Sequence, residues 1–394
     1  MMAEHIYHLY MPKAVTYGAG SFARVGLHAR TFGKKALIVS DPVMERMGAV
    51  AECKLILQGQ AVEYAQYLGV DKEPTDVHVA EALAVCRQEQ CDVIVALGGG
   101  SCIDTAKAVA VLMTNEGPIG DYVNNKKTFA ADPLPLIAVP TTAGTGSEVT
   151  KVTVIINTQT EVKMMISHPQ LMPAVAVVDP MLTLSCPPPI TAATGVDALC
   201  HAIEAYISRK AHPLTDLYAL KAASLIAGNM LRAYRDGNDV EARSQMALGS
   251  MLAGTAFSNA SVTLVHGMSR PVGALFHVPH GLSNAMLLPA VLEFTKDSAL
   301  DRLAEVGSAI VPESSQMSKD ELAEQVIRQI KRLCADLHIP NMKQWGIDPA
   351  KWGQAVSKMA SDALDSGSPQ NNPRIASHEE IIQLYHTCYD YELS

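Results

Sequence analysis

The chain has 394 residues, a length that favours two domains over a single core, and 48% of them are apolar against 18% charged. A net charge of −9, with no cluster of Lys and Arg, argues against a nucleic-acid partner, and no uncharged run approaches the roughly 18–20 residues of a membrane span. Residues 1–20 lack the basic-then-apolar pattern of a secretory leader, and the eight cysteines include no Cys-x-x-Cys pair, so the expectation is a soluble cytoplasmic enzyme or binding protein with reduced thiols.

Along the chain, Gly18, Gly20 and Gly26 first imitate a dinucleotide fingerprint, but the spacing to Gly26 is too long and the pattern reads as a turn. Runs at 35–40 (KALIVS), 62–67, 92–97 (DVIVAL), 136–139 (LIAV) and 175–178 (VAVV) read as strands buried on both faces, with 153–156 as a further candidate. Between them, 75–90 reads as a helix whose Val77, Ala80, Leu83, Ala84 and Val85 share a core-facing stripe. This alternation predicts a parallel α/β sheet. Asp41 follows the first of these strands. A carboxylate there can accept hydrogen bonds from an adenosine ribose and repel a 2′-phosphate, favouring NAD(H) over NADP(H); capping a helix that starts at Pro42 is an equal reading.

Residues 93–107 (VIVALGGGSCIDTAK) run from an apolar strand through Gly98, Gly99, Gly100 and Ser101 into a helix carrying Asp104 and Lys107. Glycines let backbone approach a ligand closely, and a helix N-terminus offers unpaired N–H groups to an anion, so the segment suits a dinucleotide pyrophosphate, with a ligand-free turn as the alternative. Asp104 is grouped with this cofactor loop. A second loop at 140–148, with Thr141 and Thr142, follows another apolar strand and offers hydroxyls and amides to the rest of such a ligand.

The run Cys186-Pro187-Pro188-Pro189 punctuates the chain, and 191–209, 213–234, 239–258 and 319–337 beyond it read as helices. The expected division is an α/β nicotinamide dinucleotide-binding domain at 1–183 and an all-helical metal domain at 184–394. Asp197 and His201 stand at i and i+4, on one helix face. With His266 and His280 they form a set of one carboxylate and three imidazoles that suits Zn²⁺ or Fe²⁺ and leaves room for a substrate oxygen. Taken alone, each histidine is more often a satisfied helix or surface residue than a ligand, and spacing does not show that distant helices converge.

The motifs GGGSCIDTAK, PTTAGTGSE, VVDPML, TAATGVDALCHAIEAY, HGMSRP with VPHG, and NNPR with EEIIQLY occur in that order over nearly the whole chain. They resemble the iron-containing (group III) alcohol dehydrogenase family, which includes lactaldehyde reductases and 1,3-propanediol dehydrogenases. The resemblance implies a dehydroquinate synthase-like fold: an α/β dinucleotide-binding domain, an all-α metal-binding domain, and catalysis in the cleft between them. It assigns Asp197, His201, His266 and His280 to the metal, normally Fe²⁺ with Zn²⁺ also accommodated, and Gly98, Gly99, Gly100 and Ser101 to the pyrophosphate. Thr141 and Thr142 match the second cofactor loop, Asp179 and Leu182 the adenine-lining segment, Asp41 the NAD-associated acid, and Phe257 the substrate pocket. It further implies a homodimer or higher homo-oligomer that interconverts a small primary alcohol and its aldehyde, the metal acting as Lewis acid while hydride moves to or from nicotinamide. His277, three residues before His280, is the candidate proton relay, with a packed or ligand-supporting histidine as an equal reading.

Two positions depart from the pattern. Arg270 stands where many members carry a histidine, and Ser368 where a cysteine is common. A guanidinium cannot relay protons but offers a fork of donors to an anion, so a sulfo- or phosphono-acetaldehyde type of aldehyde is one candidate substrate, the alternative being that Arg270 pairs with a local carboxylate or contacts the cofactor. A zinc polyol dehydrogenase is the nearer alternative. A dehydroquinate synthase-like lyase is the more distant one, because it needs more basic residues than flank these ligands.

Overall fold

The computed structural model describes residues 6–160, 162–311 and 314–393; residues 1–5 of the segment examined for a leader lie outside them. The chain forms two compact units, residues 10–185 and residues 186–393 joined by 6–9. The expected division at 183/184 therefore falls at 185/186, and residues 6–9 go with the helical unit, where the Tyr7 ring stacks on His212 at 4.8 Å.

The first unit runs β1 (Ala14–Tyr17), α1 (Val25–Phe32), β2 (Lys35–Val39), α2 (Pro42–Arg46), α3 (Ala49–Gln58), β3 (Glu63–Tyr67) and α4 (Asp76–Gln88). It continues with β4 (Val93–Gly98), α5 (Gly100–Leu112), β5 (Leu136–Pro140), β6 (Val152–Asn157), β7 (Val162–Ser167) and β8 (Val175–Val178). Among the described residues, six of these strands make one parallel sheet in the order β1-β8-β5-β4-β2-β3, and β6 pairs antiparallel with β7. Successive side chains of a strand face opposite ways. Leu37, Val39, Ile94 and Ala96 pack with Val79, Ile103 and Val109 on one face, while Ala36, Ile38, Val93, Val95 and Leu97 meet Val25, Ala29 and Leu57 on the other. Helices on both faces explain why these strands read as continuous apolar runs.

Two expectations need correction. β3 is an edge strand whose residues are mostly exposed or half-buried, because helices cover the middle of the sheet more fully than its rim. On α4 the buried residues are His78, Val79, Ala82 and Cys86; of the expected stripe Leu83 and Val85 are half-buried against the core, whereas Val77, Ala80 and Ala84 are exposed. Thr75 caps the helix and His78 returns the bond to the Thr75 amide. This capping box fixes the rotation of the first turn and carries the stripe one position away from the one expected.

From β2 the chain moves outward to β3, and from β4 it moves the opposite way to β5. The carboxyl ends of the adjacent strands β2 and β4 therefore lie at a topological switch point, where α/β sheets hold ligands. Asp41 and Gly98–Ser101 follow those two ends.

Lys107, wholly buried on α5, donates to Ser147 Oγ at 2.9 Å, Thr150 Oγ1 at 2.8 Å and the Val152 carbonyl at 2.7 Å. It thereby fastens the 140–150 loop and the start of β6 to α5. Burial lowers this lysine to about 8 in spite of Asp104 and Glu148, and burial raises neighbouring Glu148 to about 7.

The second unit is built from α6 (Pro188–Ile207), α7 (Pro213–Arg235), α8 (Val240–Ala260), α9 (Leu264–Phe276), α10 (His280–Thr295), α11 (Leu300–Ile310), α12 (Lys319–Asp336), α13 (Pro349–Asp365) and α14 (His378–Tyr389). The proline run opens α6 three residues before the expected start at 191. Pro188 and Pro189 occupy its first turn, where a missing N–H costs no intrahelical bond. From Gly195 to Ile207 every α6 residue is buried, the mark of a central helix. Among the described residues no single helix is long and apolar enough to cross a membrane.

Glu148 binds its proton more tightly folded than unfolded, so its contribution to stability falls as pH rises from about 4.5 to about 7. Urea denaturation across that range should show Glu148→Gln gaining stability relative to wild type as pH increases. A pH-independent difference would contradict the burial argument.

Candidate functional site

Helix α6 presents Asp197 and His201 one turn apart, and both are buried. The ligand atoms of Asp197, His201 and His266 lie within 4.8 Å of one another. Asp197 Oδ1 is 3.5 Å from His266 Nε2, 3.9 Å from His201 Nε2 and 4.0 Å from His280 Nε2. The His266 separation is at the limit of a hydrogen bond and the other two exceed it, while donors about 2.1 Å from a shared ion in a tetrahedron stand roughly 3.4 Å apart. The donor set therefore fits a divalent cation. His280, at the start of α10, forms the open side, its side chain 37% exposed against 3% for Asp197. The His201 ring is stacked between Phe257, with centroids 4.2 Å apart, and His266, 4.5 Å away.

Burial alone would raise the Asp197 carboxyl, but His201, His280 and His266 outweigh it and hold the group below the ordinary carboxylate range. Burial would lower His266, yet the Glu204 charge and the Asp197 hydrogen bond raise it to about 9. A cation at this imidazole would compete with the proton, which makes any metal binding there pH-dependent.

Two members of the cluster escaped the sequence reading. Asn284, one turn after His280 on α10 and fully buried, donates from Nδ2 to Asp197 Oδ1 at 2.7 Å and lies 3.0 Å from His266 Nε2 and 3.3 Å from His280 Nε2. Glu204, two turns after Asp197 on the same face of α6, contacts His266 Nδ1 through Oε2. Their i+4 and i+7 offsets from candidate ligands were the available signals.

Arg270, one turn beyond His266 on α9, is half-buried and donates from Nη1 to Ser368 Oγ at 3.1 Å. The turn holding Ser368 is seated on α9 at Gly267, where a Cβ would come within 2.7 Å of Pro369. His277 is exposed and ends α9 in the left-handed region, at φ 53°.

In the first unit, Gly98 has φ 155°, and a Cβ on it would lie 2.5 Å from Cys102 Sγ; a Cβ on Gly100 would meet Thr145 at 2.8 Å. Bare backbone is therefore required where the two loops pack. Thr141 N donates to the Gly98 carbonyl at 3.1 Å, and Ser101 lies in the first turn of α5, so loop amides and a helix N-terminus fit a pyrophosphate. Asp41 caps α2 through Oδ1, to Val43 N at 2.8 Å and Met44 N at 2.9 Å, while Oδ2 lies 3.5 Å from Cys102 Sγ beside the glycine loop.

Two residues grouped with the cofactor spend their carboxylates inside the protein. Asp104 accepts from Ser147 Oγ at 2.5 Å and Val154 N at 2.8 Å, and Asp179 accepts from Phe22 N at 2.9 Å and Met181 N at 3.0 Å. Both shape loops. Leu182 is half-buried against the core on the α1 and α3 face. Gly18 and Gly20 form a positive-φ turn, and Gly26 packs against Ile56.

A glycine-loop cradle on a parallel sheet and a buried carboxylate–imidazole cluster are the parts of a metal-dependent dehydrogenase. Residues 12–180 match the model of the iron-containing alcohol dehydrogenases, and residues 191–389 match that of the C-terminal region of the same family. The chain is 37% identical to a 1,3-propanediol dehydrogenase of Citrobacter freundii over 98% of its length and 100% of the relative's. An iron-containing alcohol dehydrogenase from Thermococcus thioreducens superposes with a TM-score of 0.89 at 30% identity, covering 98% of this chain and 99% of that one. A sulfoacetaldehyde reductase from Bifidobacterium kashiwanohense, solved with NAD⁺, gives 0.87 at 26% identity, covering 98% and 100%. The chain belongs to the iron-containing alcohol dehydrogenase family.

The carboxylate–imidazole cluster depends on close contact between α6 and α10. A Cβ at Gly281 would lie 2.5 Å from the Ala193 carbonyl oxygen and 3.2 Å from Asp197 Cβ. Gly281→Ala should destabilise the fold by about 1–3 kcal/mol in urea titrations; unchanged stability would show that the two helices yield freely.

Proposed function

We propose that the chain is a metal-dependent, NAD(H)-linked oxidoreductase that interconverts a small primary alcohol and its aldehyde, with an anionic aldehyde as the preferred substrate. The convergence of Asp197, His201 and His266 carries this reading. These residues and His280 would hold a divalent iron, or zinc in its place. Such an ion supplies Lewis acidity to a substrate oxygen, and nicotinamide supplies the hydride acceptor or donor.

The chain's own residues would prepare the reaction. Gly98, Gly99, Gly100 and Ser101 give the pyrophosphate close backbone approach, with Thr141 and Thr142 on the adjoining loop. Lys107 and Asp104 hold that loop in place. The Asp41 carboxylate, whose Oδ2 takes only a weak thiol contact from Cys102 beside Gly98, favours a ribose hydroxyl over a 2′-phosphate, and hence NAD(H) over NADP(H). Phe257 gives the site an apolar wall against His201. His277, exposed and close in sequence to His280, would exchange the proton with solvent. Residues 10–185 would serve as the dinucleotide-binding domain and the helical unit as the metal domain. Assembly as a homodimer or larger oligomer rests on the family resemblance, and a cytoplasmic setting on the cysteine pattern.

Two observations support an anionic substrate. Arg270 is one turn from His266, and Ser368 fixes one end of its fork. The sulfoacetaldehyde reductase among the structural relatives acts on an aldehyde of that charge type. The test is NADH-linked reduction of sulfoacetaldehyde and of propanal by wild type and Arg270→Ala. A lost charge-assisted pair corresponds to about a ten- to hundred-fold fall in kcat/KM for the anionic aldehyde, with propanal little affected. Equal losses for both would contradict the anchoring role.

A further inference from the structure

Resting on the reading of Asp197, His201, His266 and His280 as a metal site, we propose that Glu204 is a positioning residue that commits His266 to the tautomer able to bind the ion. The Glu204 carboxylate is completely buried on α6. One oxygen, Oε1, accepts from Thr263 Oγ1 at 2.7 Å, Val265 N at 2.8 Å and His266 N at 3.4 Å, satisfying amides in the first turn of α9. The other oxygen, Oε2, makes a short contact with His266 Nδ1.

An ionised carboxylate only accepts hydrogen bonds, so Nδ1 must carry the proton and donate. In a neutral imidazole the opposite nitrogen then keeps its lone pair. That nitrogen, Nε2, is the atom 3.5 Å from Asp197 Oδ1. Cys200 Sγ also faces Nδ1, at 3.9 Å, but a thiol both donates and accepts weakly and cannot dictate the tautomer. The same carboxylate thus anchors the start of α9 and orients the ligand that α9 carries.

The two tasks fall on different oxygens and can be separated. A glutamine at 204 keeps an acceptor for Thr263, Val265 and His266 N but turns an NH₂ group towards His266 Nδ1. That group can only donate, so the proton must move to Nε2, where it blocks the lone pair. Thr263→Val does the reverse, removing one bond to Oε1 and leaving Oε2 untouched.

Zn²⁺ affinity, measured by chelator competition on the full-length wild type, Asp197→Ala, Glu204→Gln and Thr263→Val, tests this, with the melting of each metal-free protein followed in parallel. Glu204→Gln should weaken Zn²⁺ binding about 10- to 100-fold, with metal-free melting close to wild type and a far smaller effect from Thr263→Val. Wild-type affinity in folded Glu204→Gln, or an equal loss in Thr263→Val, overturns the proposal. Wild-type Zn²⁺ binding that Asp197→Ala leaves intact overturns the metal-site reading as well, and so marks that failure apart. Should Glu204→Gln fail to fold, long-range ¹H–¹⁵N correlations of the His266 ring in metal-free wild type decide, recorded above pH about 9, where the ring is neutral and carries a single proton. A proton on Nδ1 supports the assignment, and a proton on Nε2 overturns it.

Discussion

A carboxylate in the middle of a helical bundle must have its charge compensated, and the helical unit is arranged around that demand at Asp197. Unpaired, an ionised group in such surroundings would neutralise itself by a shifted pKa. Here three imidazoles and the Asn284 amide surround one oxygen. The concentration of donor atoms that makes the site costly without partners is what a divalent cation would satisfy. Several helices are committed to it: α6 supplies two donors, α9 one and α10 one, with α8 placing Phe257 against His201. The missing side chain at Gly281 lets α10 reach α6 closely enough for His280 to join.

The α/β unit answers a different constraint, the need for bare backbone where an anion would approach. Gly98 and Gly100 are dictated twice, by backbone conformation or neighbouring loop atoms and by the ligand the loop would hold. Order in the second loop comes from Lys107, whose ammonium replaces water with two hydroxyls and a carbonyl. Satisfying a buried cation in this way ties the loop to α5 through three hydrogen bonds. Asp104 and Asp179 belong to the same economy: they hold backbone in place and leave ligand contact to others.

Much of this was legible in the residue order because it is local. Apolar runs at 35–40 and 92–97 marked strands buried on both faces, the glycine run marked the loop after β4, and the i, i+4 spacing put Asp197 beside His201. What was hidden depends on partners far along the chain. Glu204 meets residues about sixty positions away, and Asn284 meets Asp197 across a separation of 87. No periodicity encodes either contact. The α4 stripe was misplaced for a subtler reason: alanines occupy several faces of that helix, and the Thr75–His78 capping box, not the apolar pattern, sets its rotation. The proline run before α6 reads as a break because prolines interrupt helices; at a first turn they start one.

The most direct test of the central claim is metal stoichiometry after anaerobic reconstitution with Fe²⁺ and removal of excess ion, for wild type and Asp197→Ala side by side. If one carboxylate organises the site, wild type retains one iron per chain and the variant, still folded, retains almost none. A folded Asp197→Ala protein that keeps a full equivalent of iron would show that the ion is held elsewhere, and the account of the helical unit would fail.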